Sequence, residues 1–178
     1  MNIKTINLQL RQFNKSDAHK CYYNFGQDEE SGRYLPMFPM KSVEEMQKYI
    51  DGYIGAEGEN SFTWLIEKRS SGEPVGFVSV EIPYRELNIG EISYLLGRKY
   101  QGKGYAYEAV SAILKYMFNT QDLYMIEAKY NANNIASGKL LKKLGFFQEC
   151  ELRDRRLDCI DRIKCNLVIC SLKKDEFI

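Results

Sequence analysis

The chain has 178 residues, 25 Lys and Arg against 24 Asp and Glu, a formal net charge of +1, and 44% hydrophobic residues. That balance fits one globular domain spanning 1–178 and excludes a disordered, highly charged chain. It also argues against a nucleic-acid binder that relies on a strong overall positive field.

Residues 3–10 (IKTINLQL) alternate polar and apolar and predict a first strand. Asn14, Ser16 and Asp17 are helix-capping types, so a helix is expected from about Asp17 to Phe25. Asp28 to Pro39 is broken by Gly32 and two prolines and predicts a loop. Ser42 and Glu45 form a capping box that opens a helix through Met46, Tyr49, Ile50 and Tyr53. Ser61–Lys68, Pro74–Ile82 and Ile89–Leu96 predict three hairpin-linked antiparallel strands. A helix follows from about Lys103 to Asn119, with Ala106, Ala109, Val110, Ile113, Tyr116 and Met117 on one stripe. Tyr124–Tyr130 is the next strand, Asn134–Leu144 a second helix ended by Gly145, and Phe146 to about Arg153 and Arg162–Leu172 the last strands. The pattern is a mixed α/β sheet with helices on its faces.

No apolar run approaches the ~20 residues of a spanning helix, and MNIKTINLQLRQF lacks the apolar stretch of an export signal. Cys21, Cys150, Cys159, Cys165 and Cys170 are odd in number and form no CxxC pair, and His19 is the single histidine. They predict reduced thiols, buried as small hydrophobes on strands, in a cytoplasmic protein without a metal site. His19 is expected on a helix surface.

The segment from Gly97 to Ala106 joins a strand to an amphipathic helix. Gly97 to Lys103 spells GxxxxGK, but the next residue is Gly104, and the hydroxyl that would hold Mg²⁺ in a phosphate loop is missing. Gly102-Lys103-Gly104 begins GxGxxG, which fails at Tyr107. Gln101-Gly102-Lys103-Gly104-Tyr105-Ala106 matches Q/R-x-x-G-x-G/A. Such a loop bares backbone N–H groups at a helix N-terminus, where small residues and the helix dipole favour a pyrophosphate. Lys103 and Arg98 add positive charge. A glycine turn that only starts a helix is the plainer alternative.

Further segments extend that match: Glu91 to Leu96, Tyr100 to Ala109, Asn134-Ile135-Ala136-Ser137 and Lys143-Leu144-Gly145-Phe146. Leu10-Arg11-Gln12-Phe13 with Asp17, Arg33-Tyr34-Leu35-Pro36 and Pro74-Val75-Gly76-Phe77 complete the series. In order and spacing the chain resembles the GNAT acetyltransferases, in the branch similar to RimJ and RimL. Ser93, often glycine in that branch, and Leu95, often tryptophan, depart from it and would reshape the acyl or acceptor pocket.

The resemblance implies the GNAT fold, a mostly antiparallel sheet with a splayed central pair and flanking helices. It implies acetyl transfer from acetyl-CoA to a primary amine of a protein N-terminus or a small molecule, with no metal, no nucleic acid and no membrane. A non-catalytic CoA-binding sensor or scaffold is the alternative. The Gln101–Ala106 amides would bind the pyrophosphate. The strand edge at Tyr94, Leu95 and Leu96 would pair with pantetheine, and an N–H near Leu95 or Leu96 would meet the oxyanion. Asn134 and Ser137 share a helix face toward the pantetheine, with Ser137 the candidate proton source for the thiolate, although Asn134 also suits an N-cap. Glu91, on one strand face with Ser93 and Leu95, is the candidate base; Glu108 and an ordered water are the others. Tyr34, Phe38 and Tyr84 are candidate acceptor-pocket walls, and Asp28, Glu29 and Glu30 could draw in a cationic amine.

Overall fold

The computed structural model of the protein describes residues 2–35 and 37–177. Pro36, part of the expected loop, lies outside the described residues. The strands are β1 (Asn2–Lys4), β2 (Leu8–Arg11), β3 (Ser61–Lys68), β4 (Pro74–Tyr84), β5 (Ile89–Leu96), β6 (Met125–Asn131), β7 (Phe147–Leu157) and β8 (Lys164–Lys173). The helices are α1 (Ala18–Cys21), α2 (Glu29–Gly32), α3 (Val43–Ala56), α4 (Tyr105–Asn119) and α5 (Ile135–Lys143). The strands form one sheet in the order β1-β2-β3-β4-β5-β6-β8-β7, antiparallel throughout except for β5 with β6.

Helices cover both faces of this sheet. One core joins Trp64, Val78, Val80 and Ile92 of the sheet to Val110, Ile113, Leu114 and Met117 of α4 and Leu141 of α5. The other joins Leu65, Phe77 and Leu95 to Phe25, Met46 and Ile50. Every residue from Ser61 to Ile66 is therefore buried, because both faces of β3 meet a helix layer. None of the described helices is long and apolar enough to cross a membrane.

Several expected elements differ in detail. The strand over 3–10 is two strands, with Ile3 opposite Leu10 in a hairpin. Ile3 is out of phase with Leu8 and Leu10, so no single flat strand buries all three; Ile6 sits 86% exposed between them. The helix over 17–25 breaks into a 3-10 turn, the single turn of α1 and a π-turn at Tyr22–Gly26, closed by Gln27 N–H donating to the Tyr22 carbonyl at 3.0 Å. The loop over 28–39 contains α2, started by Asp28 accepting from Glu30 N and Ser31 N. α4 begins at Tyr105 rather than Lys103, since Gly102 and Gly104 have φ of +73° and +81°. β8 begins at Lys164, because Arg162 takes φ +58° in the preceding turn. Of the cysteines only Cys165 and Cys170 are buried on strands; Cys21 is buried in α1, Cys150 is exposed and Cys159 is half-buried. His19 lies exposed on α1, its ring 4.8 Å from that of Tyr23.

The β1–β2 turn is held to α4 by Glu108, which accepts from Thr5 Oγ1, Asn7 N at 2.6 Å and Asn7 Nδ2 at 2.9 Å. A first-turn carboxylate also suits the helix dipole. Glu108 is thus a structural tie, which corrects its candidacy as a base. Burial pushes its carboxyl up, but the bonds from Thr5 and Asn7 outweigh that and hold it below its ordinary value of 4.5. A depressed carboxylate stabilises the fold above its ordinary pKa and ceases to do so as the pH falls through the lowered one. Glu108→Ala should cost about 1–2 kcal/mol at pH 7 in urea unfolding. Repeated at pH values below 4.5, the same measurement should show the gap to wild type closing.

Candidate active site

The sheet parts at one place. β5 and β6 pair in parallel from Ile89↔Met125 to Ile92↔Ala128 and no further. Beyond that point Ser93–Leu96 pair with β4 alone and Lys129–Asn131 with β8 alone. Gly97 N–H donates to the Val75 carbonyl at 2.9 Å, and hydrogen-bonded pairs alternate along an antiparallel ladder. Leu95, two residues back, therefore spends its N–H on β4, while Tyr94 and Leu96 turn theirs into the gap. The Leu96 carbonyl is already taken by Gln101 Nε2 at 3.0 Å.

A cleft of about 590 Å³ opens on one side of this gap, within the usual range for a cofactor-sized ligand. Its walls include Tyr94, Leu95, Leu96, Gln101, Gly102, Gly104, Tyr105, Ala106, Asn134 and Ser137. No side chain caps α4 at Gly104, whose carbonyl accepts from Glu108 N at 3.0 Å. The first-turn N–H groups of Tyr105, Ala106 and Tyr107 have no intrahelical partner. A Cβ built on Gly102 or Gly104 meets nothing within 4 Å, so a ligand can approach the backbone closely. Lys103 is exposed and is not part of the cleft wall.

A smaller cleft of about 150 Å³ adjoins it, lined by both parted strands, Glu91 to Tyr94 and Ala128 to Asn131. Tyr34, Tyr94, Asn134 and Ser137 belong to both walls. Asn134 caps α5, its side chain accepting from Ser137 N at 3.1 Å. Ser137 Oγ is 2.7 Å from Tyr94 Oη, so a side chain of β5 reaches α5 across the parted strands. Burial pushes the Tyr94 hydroxyl up to about 12, against the opposing effect of the Ser137 bond. Tyr94 keeps its proton throughout the neutral range. The sequence places Tyr94 here for its backbone; the structure adds its hydroxyl, which period-two alternation puts on the helix face with Ile92 and Leu96.

Glu91 faces the smaller cleft, where Lys129 Nζ donates to its Oε2 at 2.5 Å. Glu91, Ser93 and Leu95 share the face toward α3, opposite Glu81, Ser79 and Phe77 on β4. That face runs from an apolar rung to a hydroxyl rung, with Ser79 and Ser93 oxygens 2.8 Å apart, and then to an acidic one. Asn131, 3% exposed, accepts from Asn133 N at 2.9 Å through Oδ1, while its buried Nδ2 has no partner among the described residues. Such an orphan costs about 1–3 kcal/mol.

The expected acceptor walls divide. Tyr34 lines both clefts and donates to the Asn133 carbonyl at 3.2 Å. Phe38 is 4% exposed, packed between Tyr49 and Phe77 in the core, and Tyr84 is 60% exposed away from either cleft. Asp28 is spent on capping α2 and on Arg98 N, and Glu29 lines neither cleft. Glu30 lines the larger one and pairs with Arg33. Arg33 also pairs with Asp158 at 2.7 Å and with Asp161, tying this segment to the β7–β8 turn.

A sheet parted beside a bare helix N-terminus is the arrangement that the resemblance to the acetyltransferases implies. The profile of the acetyltransferase (GNAT) domain matches residues 7–147, and the chain belongs to the GNAT family of N-acetyltransferases. It is 34% identical over 154 residues, 84% of each chain, to the uncharacterized N-acetyltransferase p20 of Bacillus licheniformis. Over 63 residues, 35% of this chain and 32% of the relative, it is 43% identical to the ribosomal protein uS5-alanine N-acetyltransferase of Escherichia coli strain K12. A solved RimL, a ribosomal L7/L12 alpha-N-protein acetyltransferase in complex with coenzyme A, superposes with a TM-score of 0.87. It covers 97% of this chain and 98% of that one at 18% identity, a likeness of fold. These matches favour catalysis over a silent CoA sensor.

Gly104→Asp should weaken CoA binding at least tenfold, about 1.4 kcal/mol, with the fold retained. Asparagine matches its shape and tolerates a positive φ, so Gly104→Asn should stay much closer to wild type by calorimetry. Equal losses in the two variants would assign the effect to backbone strain instead of charge.

Proposed function

We propose that acetyl-CoA is the donor substrate and occupies the larger cleft, with an amine acceptor entering through the smaller one. The observation that carries this reading is the shared wall: Tyr94, Asn134 and Ser137 stand where the two clefts meet at the parted strands. The first-turn amides of α4 take the pyrophosphate, and the free edge at Tyr94 and Leu96 takes the pantetheine amides as an added strand. Leu96 N–H or Tyr94 N–H stabilises the oxyanion, since Leu95 N–H faces β4.

The amine nitrogen attacks the thioester carbon, a C–N bond forms, the C–S bond breaks, and the electron pair leaves on sulfur. An ammonium acceptor thus yields the N-acetyl amine, CoA thiol and one proton. Ser137 Oγ–H donates to the departing sulfur while Tyr94 Oη–H donates to Ser137. A thiol with a pKa near ~8.5 is a far stronger acid than either hydroxyl, so this pair lends a hydrogen bond and solvent completes the proton balance. Glu91 takes the proton of the amine directly or through a water, and the incoming ammonium competes with Lys129 for the same carboxylate oxygen.

Thiol release from acetyl-CoA across an amine panel tests the reading; its absence with every amine would overturn it. Ser137→Ala should lower kcat about tenfold or more with little change in acetyl-CoA Kd, and Tyr94→Phe should lower it in the same direction by less. Wild-type turnover in Ser137→Ala would make Ser137 a bystander.

The Glu91 assignment has a pH signature. Most amines are protonated at neutral pH and less so near pH ~9. Glu91→Gln should therefore depress kcat/KM most at neutral pH, with the gap to wild type narrowing as the pH rises. A constant gap would leave Glu91 an electrostatic part only.

A further inference from the structure

The charged groups lining the smaller cleft are Glu91, Lys129 and Arg156. Glu91 and Lys129 neutralise each other at 2.5 Å. Arg156, on β7, is half-buried; its backbone pairs with Cys165 of β8, and its guanidinium has no hydrogen bond or ion pair among the described residues. The planar fork of N–H groups on a guanidinium without a counter-charge matches a carboxylate. Beyond that pair, the cleft offers one uncompensated cation, Arg156, to whatever enters it. A polyamine would bring only positive charge to that wall, and the first residue of a protein brings an amide carbonyl where Arg156 calls for an anion. The cleft is small, about 150 Å³ against about 590 Å³ for the larger one.

We propose that the acceptor is a small amine carrying its own carboxylate, an amino-acid-like molecule whose ammonium faces Glu91 and whose carboxylate pairs with Arg156. The inference rests on the transferase reading above and adds the chemical class of the acceptor. Arg156 acts on binding: it positions the substrate by its far end, so its loss falls on KM and not on the chemical step. The reaction remains the one already balanced, with the acceptor carboxylate unchanged.

The test is thiol release with free α- and ω-amino acids, the corresponding amides, spermidine, and C-terminally amidated peptides, using wild type, Arg156→Gln and Arg156→Lys. Wild type should prefer an acid to its own amide at least tenfold in kcat/KM. Arg156→Gln should raise KM for the acid at least tenfold, collapsing that preference toward one, and Arg156→Lys should restore part of it. Calorimetry on each variant should give an unchanged acetyl-CoA Kd, which separates a lost carboxylate contact from a damaged fold. Equal use of acid and amide, or preference for spermidine or the peptides, would overturn this inference and leave the transferase reading standing. Acetyl-CoA consumed with none of the amines would overturn both.

Discussion

Two parallel strands cannot part inside a sheet without stranding backbone groups, and this molecule is organised around one such parting. β5 and β6 separate after Ile92 and Ala128, where ladder hydrogen bonds would otherwise continue. The unmade bonds must be met by solvent, side chains or a ligand, and the surroundings hold the gap open. β4 and β8 keep each strand paired on its other side. Gln101 closes the Leu96 carbonyl, and the Tyr94–Ser137 bond bridges the opening at 2.7 Å. The parting leaves an open strand edge, and the two clefts meet beside it.

Polarity is graded along the same strands. Toward α3, β4 and β5 offer Phe77 with Leu95, then Ser79 with Ser93, then Glu81 with Glu91. The apolar rung anchors the helix layer through Tyr49, Tyr53 and Phe77, while the acidic rung lies at the margin of the smaller cleft. One strand can do both because side chains alternate and each rung is independent of the next. Ser93, where the resembled branch often has glycine, sits in the middle rung bonded to Ser79.

Much of the sheet was legible because hydrophobic period and turn chemistry act locally. The glycine loop was legible for the same reason: Gly102 and Gly104 occupy positions of positive φ that other residues disfavour. What stayed hidden depends on contacts distant in sequence. Glu108 is tied to Thr5 and Asn7 about a hundred residues away, Tyr94 meets Ser137 from another element, and Phe38 leaves its loop for the core. Lys103 beside the glycines suggested a phosphate contact, yet it sits outside the cleft wall; charge near a loop does not fix where a side chain goes. The hairpin at Ile6 was missed because a short alternating run looks alike whether it is one strand or two.

The tie from Arg33 to Asp158 spans 125 positions. The glycine loop, by contrast, leans on residues that all precede it, Asn24, Asp28, Ser31 and Leu96 among them. Contacts of such different separation carry very different loop-closure entropies and form on different schedules. During synthesis, which runs at roughly 5–20 residues per second, the loop's partners emerge first. The segment bearing Tyr34 must wait for the β7–β8 turn before it is pinned. The backbone cradle for the anion is thus built from contacts within the first 106 residues, whereas the chamber for the amine needs Lys129, Asn134 and Arg156 as well.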